Sequence, residues 1–175
     1  MNRRHFISAT AAACASSAVA GEKDALPKNA GYRIVMVDPR LVTKTNDTQP
    51  VGYERKRSDV MGSVYLSYEE WVKLKGMLST ALTSSDNVPL CGHSPAYVIV
   101  ETNRGKARSG YFSVCGLCKT WCGPAGELRV LDDAQLMPFL TKVLPLPAAF
   151  SKVKELPDLM ALDREKSFLE LPSPA

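Results

Sequence analysis

Three cysteines fall within the stretch "VCGLCKTWC", residues 114–122, and a fourth stands at Cys91, two positions before His93 in "CGHSP". A Cys-x2-Cys spacing lets one turn aim two thiolates at a single ion. Cys91, His93, Cys115 and Cys118 would give three thiolates and one imidazole, a closed tetrahedral zinc site of the structural kind, with Cys122 as an alternative ligand. The same cysteines can pair as disulfides, and four allow three connectivities. In an oxidising compartment each bond contributes about 2–4 kcal/mol, mainly by limiting the unfolded chain.

Other cysteine chemistries meet specific obstacles. "CGLCK" resembles the "CGPCK" of thioredoxins and "WCGP" the residues around it, but the pieces are in the wrong order, and Ala125 stands where a second cysteine should follow. Gly123 and Pro124 also end any helix that Cys118 might start, and with it the helix N-terminus that lowers a thioredoxin thiol pKa. Cys-x-His followed by Cys resembles a Rieske iron–sulfur motif, yet Cys118 stands where a second histidine is needed. High-potential iron–sulfur proteins place their Cys-x2-Cys before the other ligands, the reverse of the order here. An iron–sulfur cluster is therefore disfavoured. Lys119 after Cys118 breaks the haem-attachment signal. A Cys–His hydrolase would need His93 as its base, with no clear orienting partner. No phosphate-binding glycine pattern occurs. Glu69 and Glu70, like Asp132 and Asp133, serve helix starts, and the scattered methionines fill core. The sequence thus offers no catalytic residues.

The destination of the chain bears on the choice between metal and disulfide. Arg3, Arg4, Phe6 and Ile7 in "NRRHFI" resemble a bacterial twin-arginine signal, which implies export of an already folded protein. Phe6–Ala20 is Ala- and Ser-rich, too short and polar to span a bilayer, and Ala18-Val19-Ala20 has the small-x-small form of a cleavage site. The expectation is a cleavable export signal over 1–20 and a periplasmic mature protein, with a lipid anchor through Cys14 as the minor alternative. The twin-arginine translocase and signal peptidase are then its transport partners. Without the signal, four cysteines and one histidine remain, and an even cysteine count in an exported chain favours disulfides. Twin-arginine export narrows that preference, since zinc can be installed before crossing. Removing Arg3 and Arg4 lowers the net charge from +4 to +2, too little to imply nucleic acid as a partner. No other stretch could cross a membrane.

The elements that must position the cysteines follow from pattern. After a flexible 21–30 comes one domain over 31–150 and a helix or tail over 151–175. "YRIVMV" (Tyr32–Val37) predicts a strand stopped by Asp38-Pro39. Residues 43–59 lack periodicity and read as a long loop, with the basic knot "ERKRS" solvated. Ser67 and Glu70 form a capping box, with Leu66 and Trp71 as its hydrophobic staple. Trp71, Leu74, Leu78 and Leu82 continue a helical stripe, ending near Thr83. A second capped helix is expected at "LDDAQL", with Asp132 capping Gln135 and Leu131 and Leu136 as staple. Pro138 should kink it or shift its start. A further helix is possible over 157–169.

Between the helices, 96–102 and 108–114 read as a hairpin turning at "NRGK". With Asn103 opposite Lys106, Tyr97 faces Phe112, Val98 faces Tyr111, and Glu101 faces Arg108. Extended to the open end, that register sets 93 opposite 116 and 91 opposite 118, and so gathers the cysteines and His93. The fold expected is α+β, a small antiparallel sheet with a central hairpin at about 96–114 flanked by two or three helices. The function expected is that of a non-enzymatic structural or binding module of the cell envelope, stabilised by disulfides or zinc, with an unidentified envelope protein as partner. A metal-binding redox accessory protein is the alternative.

Overall fold

The structure is a computed structural model that describes residues 31–82, 92–103, 106–131, 134–150 and 152–171. The expected export signal over 1–20, the segment 21–30, Cys91 and the aspartates 132 and 133 lie outside the described residues. Seven strands form one sheet: β1 (Gly31–Val37), β2 (Thr48–Pro50), β3 (Arg57–Tyr65), β4 (Tyr97–Asn103), β5 (Lys106–Cys115), β6 (Thr120–Cys122) and β7 (Leu128–Val130). Their order is β2-β3-β1-β4-β5-β6-β7, every pairing is antiparallel, and the sheet curls into a half-barrel. The α+β class stands, with a sheet considerably larger than the small one expected.

Central position explains the apolar run of β1. It lies between β3 and β4 and is buried on both faces. Ile34 and Met36 join Tyr97, Ile99 and Val114 in the larger core, while Val35 and Val37 join Val51, Val98 and Val100 in a smaller one on the opposite face. Two helices cover the larger core. In α1 (Tyr68–Ala81) the capping box forms as the sequence dictates: Glu70 N–H donates to Ser67 Oγ at 3.3 Å, and Ser67 N–H donates to Glu70 Oε2 at 2.9 Å. Leu74, Met77, Leu78 and Ala81 are its buried face. In α2 (Leu136–Val143) Pro138 is the third residue, where a missing N–H costs no helical bond. Pro138 therefore moves the start rather than kinking the helix. Gln135 is the cap, without a side-chain bond, so the expected cap at Asp132 is three residues early.

Three expectations need correction. The loop expected over 43–59 contains β2, a helical turn at Tyr53–Arg55, and the beginning of β3. Buried polar residues hid that strand. Asp59 is fully buried and accepts the Lys44 and Thr45 amides at 2.8 and 2.9 Å, together with the Thr45 hydroxyl. Ser58, also buried, donates to the Asp38 carbonyl at 2.6 Å. Residues 54–57 of the basic knot are exposed, as a solvated segment requires. The hairpin turn pairs Asn103 with Lys106 as expected, but a bulge intervenes between Val100 and Thr102. Beyond it Tyr97 faces Val114 and Val98 faces Ser113, a slip of two. Glu101 does not face Arg108. Its carboxylate lies over Gly110, where a Cβ would sit 3.2 Å from Glu101 Oε2. Finally, the tail helix is a single turn, α3 (Leu156–Met160), with a separate turn at Phe168–Glu170.

The tail is tied to the sheet through its backbone. Arg40 and Asp38 form an ion pair whose side chains are 1% and 0% exposed, and Arg40 also donates to the Asp163 carbonyl. The Arg40 guanidinium stacks on Phe150 at 5.7 Å. One buried cation thus ties 150–163 to the end of β1. Removing one partner of a buried pair leaves the other charge uncompensated, at a cost of about 3–5 kcal/mol. Arg40→Ala should lose about that much in urea unfolding, and amides of 152–171 should lose exchange protection before those of β1. A loss below 1 kcal/mol would show that the pair behaves as a surface bridge.

Candidate functional site

The Cys-x2-Cys segment is the turn between β5 and β6, with Cys115 paired to Thr120 across its neck. A tight reversal of this kind, which Lys119 completes at φ 49°, points amide N–H groups inward. Cys118 N–H donates to Cys115 Sγ at 3.2 Å. The Cys118 thiol and the amides of Ser94 and Leu117 also bond that sulfur. These donors, the Cys118 thiol foremost, lower the Cys115 pKa to about 7 against the opposing effect of burial. Hydrogen bonds to the charged form are the cause, so this turn is built for a thiolate.

Register places four side chains on one face. Ser113 pairs with Cys122 and Cys115 with Thr120, so the four occupy the corners of a square that extends the smaller core. His93 lies across one diagonal, Nδ1 at 2.8 Å from Thr120 Oγ1 and Nε2 at 2.7 Å from Ser113 Oγ. The tautomer follows from the partners. Ser113 Oγ donates its only hydrogen to the Val51 carbonyl at 2.6 Å, so it accepts from Nε2–H, and Nδ1 accepts from Thr120. The imidazole is 2% exposed, and burial lowers its pKa to about 4. Tyr53 meets its ring edge-on at 5.7 Å.

Cys115 and Cys122 occupy the other diagonal. Diagonal neighbours stand about 7–8 Å apart, beyond the usual Cα separation of a disulfide. Cys122 is the opposite of Cys115 electrostatically: burial, then the Glu127 carboxylate, raises its pKa to about 11. Gly52 (φ 79°) covers it, and a side chain there would collide with the Gly123 carbonyl. Cys115, Cys118 and Cys122 are all buried thiols, none in a disulfide.

Of the residues the sequence singled out, His93, Cys115, Cys118 and Cys122 therefore meet around one turn, and Cys91 lies outside the described residues. Among the described residues no three His, Cys, Asp or Glu side chains converge as a metal set. Sequence reasoning missed Ser113, Thr120 and Tyr53. Ser113 and Thr120 carry a signal, alternation with Cys115 and Cys122, that becomes visible once the β5–β6 register is known. Tyr53 comes from a segment read as loop and carries none. Comparison with family models, with curated proteins and with solved structures finds no match to the chain.

The depressed His93 pKa makes stability depend on pH. The unfolded chain takes up a proton near the ordinary value of 6.5, while the folded chain resists until about 4. The metal-free protein should therefore lose stability as pH falls through that window, by roughly 3 kcal/mol in total. Chemical unfolding of wild type and His93→Gln at closely spaced pH values checks this. The slope assigned to His93 should be absent from the variant, and equal slopes would contradict the assignment.

Proposed function

We propose that the chain is an exported cell-envelope protein, periplasmic when mature, that works as a non-enzymatic binding module with a zinc-clamped cysteine turn. The observation that carries this reading is the ring of donors around Cys115 Sγ. A disulfide sulfur carries no charge and gains little from such donors, whereas a metal-bound thiolate gains from each of them. Cys115 and Cys118 would supply two thiolates, and Cys91, two residues from His93 in the chain, a third. Among the described residues, Cys115, Cys118 and His93 do not converge as a metal set in the present arrangement, so the clamp would require the His93 ring to shift toward the sulfurs and bind through Nδ1. That nitrogen's present donor, Thr120, can turn to the Gly92 carbonyl at 3.5 Å, and Nε2–H already donates to Ser113, the outer bond that orients a ligating imidazole. Cys122, held as a thiol beside Glu127, suits the role less. An iron–sulfur redox role finds less support, because Cys118 stands where a Rieske centre needs a histidine and the ligand order is the reverse of a high-potential cluster.

The signal-like N-terminus supports export, and among the described residues no helix is long and apolar enough to cross a membrane. A binding role is supported by an apolar depression of about 170 Å³ above the Cys turn, lined by Leu117, Met137, Phe150 and Val153 among others. It is sized for one side chain of a partner protein. Native mass spectrometry of the purified mature chain tests the clamp. One bound zinc, released by chelator and leaving reducible-free thiols that alkylate fully on unfolding, is the expected result. A mass lower by two hydrogens per bond, with no metal, would replace the clamp with disulfides.

A further inference from the structure

We infer that the cleft between the Tyr53 turn and α3 binds a small organic anion, its head group held by Lys56 and Arg164 and its apolar body laid against Leu159 and Met160. The cleft has a volume of about 200 Å³ and shares Pro39 and Ser94 with the cysteine turn's apolar depression, while His93 lines the cleft and not the depression. Its charged lining residues are Arg40, Lys56 and Arg164, and no carboxylate side chain of the described residues lines it. Two of these cations are already paired, Arg40 with Asp38 and Lys56 with Glu54, so the positive potential in this small concavity comes chiefly from Arg164.

The three cations differ in what they can do. Arg40 is committed to Asp38 and the Asp163 carbonyl and acts as wall. Lys56 is held at the rim by Tyr53, whose ring centroid lies 5.5 Å from Nζ. Its ion pair with Glu54 involves side chains 47% and 55% exposed, and such pairs exchange partners at little cost. Arg164 is placed by its neighbours. Asp163 is fixed through its carbonyl to Arg40, and Glu165 bonds Lys44 at 3.0 Å. The residue between two anchored neighbours reaches the cleft. Met160 is 68% exposed beside it, an apolar surface left open to solvent. Volume limits the ligand: the cavity is below the range of about 300–1,000 Å³ usual for larger ligands, which favours a carboxylate with a short apolar chain.

Hexanoate is a suitable probe, with hexylammonium as the control of equal length and opposite charge. Amide resonances of the full mature chain would be followed by NMR during titration. Hexanoate should move the amides of Tyr53, His93 and Leu159 in a saturable way. The double variant Lys56→Gln/Arg164→Gln, altered only at exposed residues, should keep its spectrum and bind about ten-fold more weakly. Hexylammonium should leave those amides unmoved. The inference is overturned if hexanoate moves none of them, if the double variant binds equally well, or if hexylammonium binds as tightly. Neither Lys56 nor Arg164 belongs to the cysteine cluster, so failure here would leave the zinc clamp standing.

Discussion

A hydrogen-bond chain runs from Thr120 through the His93 imidazole to Ser113 and ends on the Val51 carbonyl. It joins three parts of the sequence that have little else in common: the segment before β4, the β5–β6 hairpin, and the turn after β2. Buried polar groups must be partnered, and a half-satisfied network is costlier than none. Each member here has its donor and acceptor assigned without conflict, so the imidazole can be both deeply buried and neutral. That constraint fixes Ser94, the residue after His93, where its amide meets Cys115 Sγ. The thiolate character of Cys115 is a consequence of the same placement.

The loops around the site obey the same rule on a larger scale. Asp38, Arg40, Ser58 and Asp59 are charged or polar and almost fully buried. Each trades water for a defined set of backbone or side-chain partners, and each partner belongs to a segment without regular structure. The smaller valine core could not hold these segments by apolar burial alone. Polar burial gives them one arrangement rather than many, a role attested for polar groups elsewhere. The division is visible across the sheet: apolar packing under α1 and α2 on one face, hydrogen-bonded chemistry on the other.

Much of the apolar face was legible in the sequence, and the polar face was largely hidden. "YRIVMV" announced β1, and Leu66, Ser67, Glu70 and the leucine stripe announced α1, because apolar periodicity and caps are local signals. The turn at Asn103–Lys106 was equally readable. The bulge between Val100 and Thr102 was not, since no local pattern marks it, and it changed every pairing beyond it. β3 was lost because Ser58, Asp59 and Ser63 look like loop residues until their long-range partners are known. The convergence of His93 with the Cys-x2-Cys turn survived the two-residue slip, as neighbouring positions on a hairpin remain neighbours. What the sequence could not show was that His93 already holds two hydroxyls.

The state of that imidazole is the most direct test of the account. Long-range nitrogen–proton NMR correlation of the His93 ring, recorded between pH 5.5 and 7.5, reports tautomer and charge together. The hydrogen-bond chain predicts a neutral ring protonated at Nε2 across that range, with an Nε2 proton slow to exchange. A ring protonated at Nδ1, or one that becomes an imidazolium near its ordinary pKa of 6.5, would contradict it.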